Sequence, residues 1–202
     1  MDFIAFDLET TGIQPKTDAV VEIGAVRFCG TEPVDSFCTL INPGRPIPPD
    51  ASAVNGITDE MVADQPGIET VLAGLADFCG DLPLVAHNAP FDFKFLLAAI
   101  ERHRARAPKG LVLDTCALAR VVFPGQLNYK LGTLARQFGF SDGSFHRAAA
   151  DSVYCGRLFV RIVEALEKAG QPAGVPALLD LAKQPPLRFP QYEKRPEQLG
   201  LF

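Results

Sequence analysis

The stretch Ala-Phe-Asp-Leu-Glu-Thr-Thr-Gly, residues 5–12, places two carboxylates directly after the apolar residues Phe3, Ile4 and Phe6. Side chains alternate across a strand, so Asp7 and Glu9 share a face with Phe3 and Ala5, while Ile4, Phe6 and Leu8 share the other. Two anions about 7 Å apart on one strand face repel each other, and a cation between them resolves the repulsion. The competing reading takes them as polar residues marking the turn Thr10-Thr11-Gly12.

Two more acids stand in apolar surroundings. Asp92 opens a helical pattern whose positions three, four and seven further on are Phe95, Leu96 and Ala99, so it lies on the face directed at the core. A first-turn acid favoured by the helix dipole is its alternative reading. Asp151 is followed at +4, +7, +8 and +11 by Cys155, Leu158, Phe159 and Ile162, a stripe on which an unpaired charge is expensive.

Of the three histidines, His103 lies in a charged stretch and reads as exposed, and His87 follows an apolar strand and reads as a packing or hydrogen-bonding residue. His146 precedes Asp151 by five residues, which on a regular helix leaves the two side chains about 140° apart. If both serve one site, His146 belongs in the loop before the helix or at its start. Asp7, Glu9, Asp92 and Asp151 together form a set suited to two divalent cations about 4 Å apart, the arrangement used for in-line displacement at phosphorus. All-oxygen ligands suit Mg²⁺ or Mn²⁺.

Three blocks, Asp-Leu-Glu-Thr-Thr-Gly at 7–12, His-Asn-Ala-Pro-Phe-Asp-Phe-Lys-Phe-Leu at 87–96 and His-Arg-Ala-Ala-Ala-Asp at 146–151, supported by the segments 113–120 and 129–139, carry a resemblance over about residues 1–170. In that order and spacing the chain resembles the DEDD-type 3′-to-5′ exonucleases whose third motif holds histidine, and within them the proofreading subunits of bacterial replicative DNA polymerases. The resemblance implies a ribonuclease H-like fold, with Asp7 bridging both metals. It further implies that Glu9 and Asp151 help hold the metal that activates water, that Asp92 supports the second, and that His146 accepts the proton of water. Thr10, Thr11 and Gly12 would lie against the terminal nucleotide, and Asn88 and Phe91 near the substrate strand. Asn55 departs from the pattern, since family members often have histidine there.

The elements that must position these residues follow from periodicity. Strands are expected at 3–9, 20–29 and 35–41 as an antiparallel meander, then at the apolar runs near 84 and 112. A proline-rich loop leads to a short helix near Asp59, and helices are expected at 69–79, 91–104, 116–122, 130–138 and 147–169. Strands first and then strands alternating with helices give an α/β fold, a mixed sheet flanked by helices.

From Gln171 onward, six of the 17 prolines fall in 32 residues, which predicts a flexible, extended C-terminal segment, 171–202, after an exonuclease domain at 1–170. The last twenty residues carry a net charge of +2 against −7 for the rest, the two making up the formal −5. An acidic body argues against broad adhesion to nucleic acid, whereas divalent metal can supply positive charge locally. The final five residues, with Gln198, Leu199, Leu201 and Phe202, are similar to the pentapeptide by which bacterial replication and repair proteins bind the sliding clamp. Anchoring there would raise the local concentration of the enzyme at DNA.

Five cysteines without a C-x-x-C pair read as reduced, mostly buried thiols. No apolar run reaches the length of a membrane span and the N-terminus lacks the basic region of a signal peptide, so a cytoplasmic protein without a membrane partner is expected. The sequence therefore points to a metal-dependent exonuclease acting on single-stranded or frayed 3′ DNA ends, releasing nucleoside 5′-monophosphates. An exoribonuclease of the same family and a noncatalytic clamp- or polymerase-binding module are the alternatives.

Overall fold

The computed structural model describes residues 1–140 and 147–192 of the 202-residue chain. Strands β1 (Phe3–Thr10), β2 (Val20–Cys29) and β3 (Glu32–Leu40) form the expected antiparallel meander. β4 (Leu84–Ala86) and β5 (Val112–Asp114) add in parallel on the other side of β1, giving the order β3-β2-β1-β4-β5. Parallel neighbours require crossovers. Helices α1 (Pro49–Asn55), α2 (Asp59–Val62) and α3 (Ile68–Cys79) lead into β4, and α4 (Pro90–His103) joins β4 to β5. After β5 come α5 (Thr115–Val122), α6 (Leu131–Gln137), α7 (Ala148–Lys168) and α8 (Val175–Ala182).

The alternation along β1 divides the core. Ile4, Phe6 and Leu8 face Leu72, Leu75 and Leu96 of α3 and α4, whereas Phe3 and Ala5 face Leu118 of α5 and Leu158, Phe159 and Ile162 of α7. Phe3 sits between the rings of Phe28 and Phe159, with centroids 4.9 and 4.7 Å away. α7 lies so close to β2 that a Cβ at Gly24 would come within 2.2 Å of the Ala148 carbonyl oxygen, and one at Gly156 would strike the Phe28 ring. Any larger residue at either position pushes the helix off the sheet.

Three expectations are corrected. The proline-rich segment before Asp59 contains α1, because Pro49 occupies the first turn, where its missing N–H costs no helical hydrogen bond. The segment from Gln171 is not extended as far as the chain is described. Val175–Ala182 is helical, Leu187 bridges to Val112 in an antiparallel β-bridge, and Phe189 is fully buried with its ring stacked 4.7 Å from Phe93. Proline density suggested an uncommitted chain, yet spaced apolar residues such as Leu178 and Phe189 outweigh it by burial. The cysteines are all free, but Cys29 and Cys38 are exposed, while Cys79 and Cys155 are buried. Among the described residues, no helix is long and apolar enough to cross a membrane.

Candidate active site

The carboxylates converge where β1 ends against α7. Asp7 and Glu9 project from the β1 face that α7 covers, and Asp151 stands in the first turn of α7. Each offers a carboxylate oxygen, and these oxygens all lie within 4.8 Å of one another. The β1–β2 register shifts between Glu9 and Thr10. Such an irregularity re-aims side chains at the end of a strand. Asp92 comes from the opposite side of the sheet, where its Oδ1 accepts the Leu8 N–H at 3.1 Å. A buried carboxylate is thereby tied to the backbone between Asp7 and Glu9.

Electrostatics mark the cluster as short of positive charge. Burial first, and then the charges of Asp92, Asp151, Glu9 and Glu22, push the Asp7 carboxyl well above its ordinary range. Burial is also the main reason Asp92 is raised, partly offset by the Leu8 hydrogen bond. Glu9 is raised to about 7 by burial, Asp151 and Glu22, against the opposing influence of Arg147 and of a hydrogen bond from Asn55. Crowded, acceptor-only oxygens on three buried or half-buried acids fit a hard divalent cation, which relieves the repulsion these shifts express.

Asn55, the departure noted in the sequence, is buried. Its side chain reaches Glu9, its Nδ2 points at the Thr10 carbonyl at 3.4 Å, and its Oδ1 accepts the Ile57 N–H at 3.0 Å. An amide here donates to a carboxylate without adding a titrating group.

Asp7 and Asp151 open into a cleft of about 360 Å³, lined also by His87 and by Lys130, Leu131, Gly132, Thr133 and Arg136. The ring nitrogens of His87 lie 2.9 Å from Thr115 Oγ1 and 2.7 Å from the Tyr129 carbonyl. The carbonyl can only accept, so Nε2 carries a proton, and burial holds the imidazole pKa below its ordinary value. His87 is thus the hydrogen-bonding residue expected, joining the end of β4 to the segment before α6. Thr10 donates to the Gly12 carbonyl and Thr11 Oγ1 accepts the Ala19 N–H, so both hydroxyls brace their own turn. Asn88 is exposed in a left-handed conformation, φ 64°, and its N–H is held by Asp114. Phe91 is partly buried, 5.0 Å from the Phe95 ring. Neither Asn88 nor Phe91 lines the cleft. His146 and the residues Gln198, Leu199, Leu201 and Phe202 lie outside the described residues.

Glu22 and Arg147 carry weight that the sequence reading missed. Glu22 is the β2 partner of Glu9 and is buried; it accepts Arg147 Nη2 at 2.8 Å and the Ala148 N–H at 2.9 Å. Ser152 Oγ adds a bond to the Gly24 carbonyl. The start of α7, and with it Asp151, is fastened to β2 by these contacts. A lone acid inside the apolar run Val20-Val21-Glu22-Ile23 was the signal available for it.

Comparison with known proteins agrees with this geometry. The family model described as Exonuclease, RNase_T, matches residues 4–159. DNA polymerase III subunit epsilon of Treponema pallidum is 41% identical over 163 residues, spanning 80% of this chain and 76% of that protein. The subunit of that name from Aquifex aeolicus is 37% identical over 164 residues, 81% of each. Among solved structures, Exonuclease X in complex with 5′ overhanging duplex DNA superposes with a TM-score of 0.70 at 29% identity, spanning 89% of this chain and 99% of that one.

Proposed function

The chain belongs to the RNase_T exonuclease family, and from that premise we propose that its carboxylate site removes nucleotides from the 3′ ends of DNA as part of replication proofreading. Exonuclease activity and dependence on divalent metal go with the family, and the 3′-to-5′ direction fits it. The observation that carries the residue-level reading is the convergence of Asp7, Glu9 and Asp151 oxygens within 4.8 Å, with Asp7 and Asp151 opening into the cleft.

In this reading Asp7, Glu9 and Asp151 would hold the cations, and Asp92 would support the same site while bonded to the Leu8 N–H. Two ions, Mg²⁺ or Mn²⁺, when bound, supply positive charge to the scissile phosphate and to the leaving oxygen. His146 accepts the proton of the attacking water; an imidazole is suited to this near neutral pH. Thr10, Thr11 and Gly12 present the turn backbone to the terminal nucleotide, with Asn88 and Phe91 further along the strand. The product is a nucleoside 5′-monophosphate, and no covalent intermediate is needed.

The likeness to epsilon subunits favours DNA over RNA, association with a replicative polymerase and a cytoplasmic setting. The pentapeptide at 198–202 favours a sliding clamp as a second partner. Labelled single-stranded DNA and RNA, each with and without Mg²⁺, test the reading. Mononucleotides released from the DNA 3′ end only with metal, and lost in Asp7→Asn and Asp151→Asn, are expected. Faster hydrolysis of RNA, or near-normal turnover by either variant at saturating Mg²⁺, overturns it.

A further inference from the structure

The cleft that exposes Asp7 and Asp151 takes the rest of its lining, apart from His87, from one basic element. α6 and the residue before it supply Lys130, Thr133 and Arg136, spaced by three residues, while Leu134 and Ala135 of the same helix are buried in the core. Residues three apart are neighbours along a helix surface, so these side chains form one ridge facing the cleft. Both cations are exposed. Their backbones stand about 9 Å apart along the helix axis, a separation that spreads two positive charges along a bound strand.

We infer that Lys130 and Arg136, with the Thr133 hydroxyl, grip backbone phosphates of the substrate strand on the 5′ side of the scissile bond. This rests on the reading of the carboxylates as the site of 3′-end hydrolysis. A 3′-terminal nucleotide carries a single phosphodiester, the bond that is cut, so any further phosphate within reach belongs to upstream nucleotides. Contacts to phosphate oxygens position a strand without reading its bases, so the grip is independent of sequence. In a chain of net charge −5, these two cations supply positive charge beside the acidic cluster, where the strand must lie.

The test compares wild type with Lys130→Ala/Arg136→Ala on two substrates in Mg²⁺: a single-stranded oligonucleotide, and the p-nitrophenyl ester of thymidine 5′-monophosphate, which has no upstream phosphate. Single-strand binding weakens with salt by about 0.7 log units per phosphate contact per log unit of salt. Loss of two contacts lowers the slope of log KM for the oligonucleotide by about 1.4, so that from about 50 to about 200 mM salt its KM rises about sevenfold less than the wild type's. The variant loses more kcat/KM on the oligonucleotide than on the ester, and Lys130→Arg/Arg136→Lys restores the slope. A wild-type salt slope in the alanine variant, or equal losses on both substrates, overturns the grip. A wild type inactive on both substrates overturns instead the hydrolytic reading beneath it.

Discussion

Glu9→Gln should stabilise the metal-free protein above neutral pH and remove part of a pH dependence opposite in sign to ordinary acid denaturation. Burial, Asp151 and Glu22 raise the Glu9 carboxyl from 4.5 to about 7 in the folded chain. Between those values the native protein binds more protons than the unfolded one, so the unfolding free energy falls as pH rises through the window. At about 1.4 kcal/mol per pH unit, this shift costs roughly 3 kcal/mol above pH 7 and nothing below the unfolded value. That is a large share of a typical domain's stability of about 5–15 kcal/mol. Glutamine keeps the volume and the hydrogen bond with Asn55 but carries no charge, so the penalty disappears. Asp7 and Asp92, the latter raised to about 8, are shifted in the same direction and keep the rest of the slope. Urea unfolding in chelator, from about pH 5 to about pH 8, reads the effect, and Mg²⁺ should flatten the wild-type curve by replacing the missing positive charge. A metal-free wild type whose stability is flat or rises over that range, or a Glu9→Gln variant no more stable than wild type at the upper end, refutes the reasoning.

His146→Ala should slow single-turnover hydrolysis by about 10² to 10⁴ with little change in DNA affinity, and a loss below about tenfold near neutral pH removes it as the base. Arg147→Ala strands the buried Glu22 carboxylate beside Glu9 and should cost about 3 kcal/mol or more in urea unfolding. Glu22→Gln should cost less, because the half-exposed Arg147 returns to water, so the reverse order refutes the fastening of α7. Deleting residues 198–202 should preserve hydrolysis of short oligonucleotides and abolish binding to a bacterial sliding clamp. Equal calorimetric heats for intact and truncated protein reject the tether.

The sheet was legible because its signals are local. Period-two alternation put Asp7 and Glu9 on the Phe3 face, and the structure keeps them there against α7. Asp151 was legible because a charge on the stripe of Cys155, Leu158, Phe159 and Ile162 has no apolar explanation. Interactions that local patterns do not encode were missed. Glu22 matters through Arg147, 125 residues away, and Lys130 and Arg136 matter through a cleft formed by elements distant in sequence. The segment after Gln171 misled because proline content reports the local chain and not the pocket around Phe93 that Phe189 fills.

The site also explains why so much of the fold is spent on one helix terminus. Bringing Asp151 within 4.8 Å of two other carboxylates is unfavourable, and its place in the first turn of α7 recovers only about 0.3–1 kcal/mol from the helix dipole. The remainder comes from contacts outside the Asp7–Glu9–Asp151 cluster: the approach of Ala148 to Gly24, the Ser152 bond to the Gly24 carbonyl, the Glu22–Arg147 pair and the Phe3–Phe28–Phe159 stack. None of these needs a metal ion. The carboxylates are therefore held in place by the sheet and helix packing, in contrast to metal domains whose ligands assemble only on binding. Repulsion persists as raised carboxyl pKa values and not as an open site, so proton release on metal binding follows from the same packing that fixes the geometry.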